Sequence, residues 1–204
     1  MSMKNVPNIL TVSRIFAVLV FVVLATFAEK SFMSEQAVMY VRLAAYILAI
    51  LAGLTDLLDG YLARRYNIVS DFGALMDPLA DKIFVTGTML MAVEYRLMPA
   101  WIAVAVLCRE FMVTGLRTLA AKKQVVISAD RWGKLKTAMQ MVMLCIAGAA
   151  WVMDGGAHYM HTATWFGVRL WYLWILYLSG IVLVTVGSGL GYFIKFRKLY
   201  LPEK

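Results

Sequence analysis

The chain has 204 residues, 62% of them hydrophobic and 16% charged. Soluble domains sit nearer half apolar and a quarter charged, so a water-soluble globule is excluded. Its 20 basic and 12 acidic side chains give a formal net charge of +8. The basic residues flank apolar stretches, which suits contact with an anionic leaflet and argues against a nucleic-acid partner.

At about 20 residues per span, this length accommodates roughly six membrane helices. No linker or low-complexity tract divides the chain, so residues 1–204 are expected to form a single all-α, polytopic membrane domain. The first span is expected over residues 8–28. Thr26-Phe27-Ala28 is a weak match to a cleavage site, and the apolar run is long for a leader, so this helix is expected to be retained. Its polar lead-in, with Asn5, Pro7, Asn8, Thr11 and Arg14, is unusual for a plain anchor. The second span is expected over residues 37–66, and a polar turn containing Asn67, Ser70 and Asp71 links it to a third over 73–94. The fourth, fifth and sixth follow at 99–121, 134–153 and 169–196.

Cys108 and Cys145 fall in apolar stretches and are expected to be small buried hydrophobes, without disulfide or zinc spacing. His158 and His161 lie in a segment read as a solvated outer loop. Trp101, Trp132, Trp165 and Trp171 lie near span ends, as an interfacial belt requires. Basic residues set the orientation. With both termini cytosolic, the outer segments hold only Lys30, Arg42, Arg96 and Arg169, and most of the other basic residues gather at the cytosolic ends.

That orientation places a dense set of acids at the cytosolic ends of spans two and three. They read Asp56-x-x-Asp59-Gly60-x-x-Ala63-Arg64, then Gly73-x-x-x-Asp77-x-x-x-Asp81. Gaps of three and four residues line up on one helix face. Acids are costly at a membrane, so such a cluster points to function. Oxygen-only donors suit Mg2+ or Mn2+ rather than zinc or copper. Four carboxylates exceed the charge of one ion. Two divalent ions, about 3.5–4 Å apart, would balance them and clamp a pyrophosphate. Gly60, Ala63 and Gly73 leave room either for close helix packing or for a flat base and ribose. Arg64 offers a cationic fork to phosphate.

These eight fixed positions resemble the signature of the CDP-alcohol phosphotransferase family. The resemblance implies a six-helix fold, a homodimer, and transfer of a phosphatidyl or similar group from a CDP-linked donor to an alcohol, with release of CMP. It also implies that Asp56, Asp59, Asp77 and Asp81 hold the metals, with Asp81 doubling as general base. Asp56, Gly60, Ala63, Arg64 and Gly73 would line the CDP site.

The likeness extends to the lead-in at residues 5–14, to Asp77-Pro78-Leu79-Ala80-Asp81-Lys82, to Arg109-Glu110-Phe111-x-Val113-Thr114-Gly115-Leu116-Arg117, and to Gly133-Lys134-x-Lys136-Thr137-x-x-Gln140. These segments resemble the bacterial branch of the family that uses CDP-diacylglycerol and sn-glycerol 3-phosphate at the plasma membrane. A dianionic acceptor phosphate needs cations. Arg109 and Arg117, two turns apart, together with Lys134 and Lys136, are the expected donors, and Glu110 is expected to pair with a nearby cation. An inositol-phosphate or phosphatidylglycerol acceptor would use the same aspartates. An ion-coupled transporter fits less well, because its acids would sit at the midplane between repeats, and no repeat is visible.

Overall fold

The structure is a computed structural model that describes residues 6–28, 33–66, 71–125, 131–154, 156, 158–197 and 200–201; the side chains of 56–66 lie outside that description. In chain order the elements are α1 (Val6–Phe27), α2 (Glu35–Tyr66), α3 (Asp71–Glu94), α4 (Ala100–Lys122), α5 (Arg131–Asp154), α6 (His158–Thr162), a hairpin of β1 (Thr164–Trp165) and β2 (Val168–Arg169), and α7 (Leu170–Lys195). The six long helices match the six expected spans to within a few residues.

Among the described residues, three segments are by length and composition apolar enough to cross a membrane: Glu35–Thr55, Trp132–Met153 and Leu170–Lys195. Thr11–Phe27 is a shorter apolar helix. The strongly charged α3 and α4 do not reach that level, since Asp77, Asp81 and Lys82 interrupt one, and Arg109, Glu110 and Arg117 the other. Large apolar side chains such as Phe16, Leu183 and Ile194 point outward. That is the inverse of a soluble surface and fits lipid contact.

The chain forms two compact units. The first comprises Met1–Leu97 and Ala147–Ala157. In it, α1 buries Thr11, Arg14, Val18, Phe21, Ala25 and Ala28, an alternation of three and four residues that keeps one stripe facing α2 and α3. Gly87 lets α3 approach closely, because a Cβ there would lie 3.1 Å from Val18 Cγ1. The far end of α1 is tied down by polar groups. Arg42 donates through Nε and Nη2 to the Ala28 carbonyl at 3.3 and 3.1 Å, and the Tyr95 hydroxyl donates to the Ala25 carbonyl. The Trp151 ring packs against both, 5.9 Å from the Arg42 guanidinium and 5.2 Å from the Tyr95 ring. Orphan carbonyls at a helix end are thereby satisfied.

The second unit comprises Met98–Ile146 and His158–Lys204. Its spine is α4 against α7. Ile102, Val106, Arg109, Val113, Leu116 and Ala120 face one way on α4; Trp174, Leu178, Ile181, Thr185, Ser188 and Tyr192 do so on α7. Both rows repeat at four and three, the spacing of closely packed helices. The Tyr177 hydroxyl donates to the Met139 carbonyl at 2.8 Å, joining α7 to α5.

Two expectations need correction. The segment containing both histidines is not an open loop: His158–Thr162 forms a helical turn, and His161 stacks on Trp171 with ring centroids 4.0 Å apart. A hairpin follows, with Phe166 and Gly167 at φ of 48° and 78° in its turn. Both pieces are too short to leave a periodic signal. Cys108 and Cys145 are exposed rather than buried, on helix faces turned away from their unit. An apolar solvent lets a small hydrophobe sit outside as comfortably as inside.

Candidate active site

The first half of the acid motif lies in the last third of α2. Asp56, Asp59, Gly60, Ala63 and Arg64 belong to its helical backbone. Their side chains lie outside the described part of the structure, as does the expected polar turn at 67–70. Asp59 stands seven residues before the end of α2, and Asp77 six after the start of α3. At about 1.5 Å per residue, both lie roughly 10 Å along their helices from the same short connection.

In α3, Gly73 is buried, whereas Asp77 and Asp81 are exposed one turn apart. Pro78 sits between them inside the helix. Proline carries no N–H, so one i→i−4 bond is missing where the two carboxylates stand. The Thr11 hydroxyl of α1 donates to Asp77 Oδ1 at 2.5 Å. Among the described residues no group of three or more metal-binding side chains assembles. Asp77 and Asp81 nonetheless fit a hard cation: they are oxygen donors on one face, accessible, and one of them is held by a fixed neighbour.

The expected acceptor residues fall in the second unit. Arg109 is buried in the α4–α7 seam, and its Nη2 donates to Ser188 Oγ at 2.9 Å. Ser188 in turn donates to the Thr185 carbonyl at 2.9 Å. Arg109 Nη1 lies 3.6 Å from Glu110 Oε1, and the same oxygen receives the buried Lys136 ammonium of α5. Arg117 Nη2 donates to the Tyr192 hydroxyl at 3.2 Å. The guanidiniums of Arg109 and Arg117 lie 6.0 and 5.5 Å from the Tyr192 ring centroid. Arg109 and Lys136 share the Glu110 carboxylate, while Arg117 is held by Tyr192, so three cations stand against one acid and the cluster keeps two net positive charges. Glu110 is paired, as the sequence suggested. Lys134 does not join: it is exposed, and two residues from Lys136 puts it about 200° round the helix.

Ser188 and Tyr192 escaped the sequence reading. Their signal was there, as polar groups spaced four residues apart on the buried stripe of an otherwise apolar span.

Residues 4–186 match the family described as CDP-alcohol phosphatidyltransferase. The chain is 39% identical over 143 residues to the CDP-diacylglycerol–glycerol-3-phosphate 3-phosphatidyltransferase of Bacillus subtilis (strain 168), covering 69% of this chain and 74% of that protein. A protein of the same name from Rickettsia typhi is 38% identical over 144 residues, covering 71% of this chain and 76% of the relative. A probable phosphatidylglycerophosphate synthase of Mycobacterium tuberculosis is 39% identical over 140 residues, covering 69% and 64%.

Proposed function

The chain belongs to the CDP-alcohol phosphatidyltransferase family, and from that premise we propose that it transfers the phosphatidyl group of CDP-diacylglycerol to sn-glycerol 3-phosphate. The products are phosphatidylglycerol phosphate and CMP. The observation that carries the acceptor is the Arg109–Lys136–Arg117 cluster, whose two net positive charges complement a dianionic phosphate. The relatives' names support the same substrate pair.

Asp56, Asp59, Asp77 and Asp81 would hold two divalent cations, Mg2+ or Mn2+. When bound, these cations neutralise the pyrophosphate and stabilise its leaving oxygen. Gly60, Ala63 and Gly73 give the cytidine room against the helix backbone, and Arg64 pairs with donor phosphate. Asp81 accepts the proton from the primary hydroxyl of glycerol 3-phosphate as that oxygen attacks the phosphatidyl phosphorus. A new P–O bond forms, the bond to the CMP phosphate breaks, and CMP departs with the electron pair. Arg109, Arg117 and Lys136 hold the acceptor phosphate. Six spans, both termini and the acids on the cytosolic side of a bacterial plasma membrane, and assembly as a homodimer complete the reading.

The test is CMP release from CDP-diacylglycerol by the purified protein in detergent with Mg2+. Glycerol 3-phosphate, inositol phosphate and phosphatidylglycerol are offered separately. Release with glycerol 3-phosphate alone, abolished by EDTA, is expected. Release with another acceptor instead would overturn the acceptor assignment.

A further inference from the structure

Thr11 is fully buried on the stripe by which α1 packs in the first unit. Thr26, Thr88, Thr114 and Thr137 turn their hydroxyls back to the carbonyl four residues before in their own helix. That local bond is the default for threonine in a helix. The Thr11 hydroxyl reaches across to α3 and meets Asp77 Oδ1, 66 residues away, at 2.5 Å.

Asp77 does not need this bond to be satisfied, because its side chain is exposed and water could serve it. The bond therefore fixes rather than solvates. A carboxylate turns easily about its last torsion, which is broad and two-fold. A hydroxyl held by a buried, β-branched side chain takes that freedom away. The bond occupies one lone pair of Oδ1, leaving Oδ2 and the second lone pair of Oδ1 for a cation.

We infer that Thr11 is a positioning residue that sets the orientation of the Asp77 carboxylate for divalent-cation binding. The inference rests on the reading of Asp77 as a metal ligand. Partners of this kind typically contribute a 10- to 100-fold factor in metal affinity.

The test compares Thr11→Ser with Thr11→Ala. Both lose the methyl group, and they differ by one oxygen. The purified, metal-stripped full chain in detergent is titrated with Mn2+ alone, and unbound Mn2+ is read by electron paramagnetic resonance. Metal-free unfolding midpoints are measured alongside. Thr11→Ser is expected to bind as the unaltered protein does. Thr11→Ala should need about tenfold more Mn2+ or beyond for half-saturation, with a metal-free midpoint equal to that of the serine variant. Equal binding by the two variants would overturn the inference, as would failure of both to fold, since Thr11 would then be a packing residue. Asp77→Asn separates the two layers. If it weakens Mn2+ binding while serine and alanine at position 11 behave alike, Asp77 stands as a ligand and Thr11 falls. If Asp77→Asn binds Mn2+ normally, the ligand reading fails and the inference with it.

Discussion

Gly189 of α7 lies against the stem of Arg109 of α4: a Cβ on the glycine would sit 2.9 Å from Arg109 Cγ. Backbone, not side chain, forms the wall along which this buried arginine runs. Gly189→Ala should push the guanidinium away from Ser188. Losing the aim of a charged donor costs about 1.5–3 kcal/mol, so the KM for glycerol 3-phosphate should rise about tenfold or more while that for CDP-diacylglycerol changes little. Steady-state kinetics with each substrate varied in turn checks this.

Arg109→Ala should produce the same split more strongly, because the charge itself is lost along with the bond to Ser188. Arg109→Lys should recover only part of the affinity, since an ammonium cannot reproduce a planar fork of donors. A fall in donor affinity instead would place Arg109 on the other substrate.

Asp81→Asn should stop CMP release while leaving a folded protein that still binds CDP-diacylglycerol. An amide cannot take the proton of the attacking hydroxyl. Single-turnover assays set beside a donor-binding measurement distinguish loss of chemistry from loss of binding. Full activity in this variant would remove Asp81 from the base role.

Glu110→Gln should destabilise the second unit. Lys136 is buried and shares the carboxylate with Arg109. Removing one partner of a buried pair costs about 3–5 kcal/mol, because the remaining charge is left uncompensated. A lowered thermal midpoint in detergent is expected, with partial recovery in Glu110→Gln combined with Lys136→Met.

Arg42→Met should lower the thermal midpoint through the first unit. The Ala28 carbonyl would lose its two guanidinium bonds, and the Trp151 ring its cation. A hydrogen bond from a charged group contributes about 1.5–3 kcal/mol. Unfolding followed by tryptophan fluorescence reports it directly, since Trp151 is part of the contact.

Much of this was legible in the residues because helical periodicity is a strong signal. The buried row of α4 and the acid spacing of Asp77 and Asp81 both follow from repeats of three and four. Span ends agreed to within a few residues for the same reason. The short turn at His158–Thr162 and the hairpin after it left no period to read. Partners across helices were invisible too. Nothing in the order of residues says that Thr11 meets Asp77, or that Tyr192 lies between Arg109 and Arg117. Lys134 and Lys136 looked equivalent as adjacent cations, yet a two-residue step turns one of them away from the cluster.

Helix α1 is fastened near both extremities, by Thr11 on Asp77 and by the Ala25 and Ala28 carbonyls on Tyr95 and Arg42. From position 11 to position 28 is about 26 Å at helical rise. The helix is thus a ruler between two fixed marks. Its outward side chains, Phe16, Leu19 and Val23, are free to vary among apolar types. Its length is not. Adding or removing one residue between the marks would turn one end by about 100° relative to the other, so both fastenings could not be kept together. A scan of single-residue insertions along α1 would meet intolerance throughout this interval, even where every substitution is harmless.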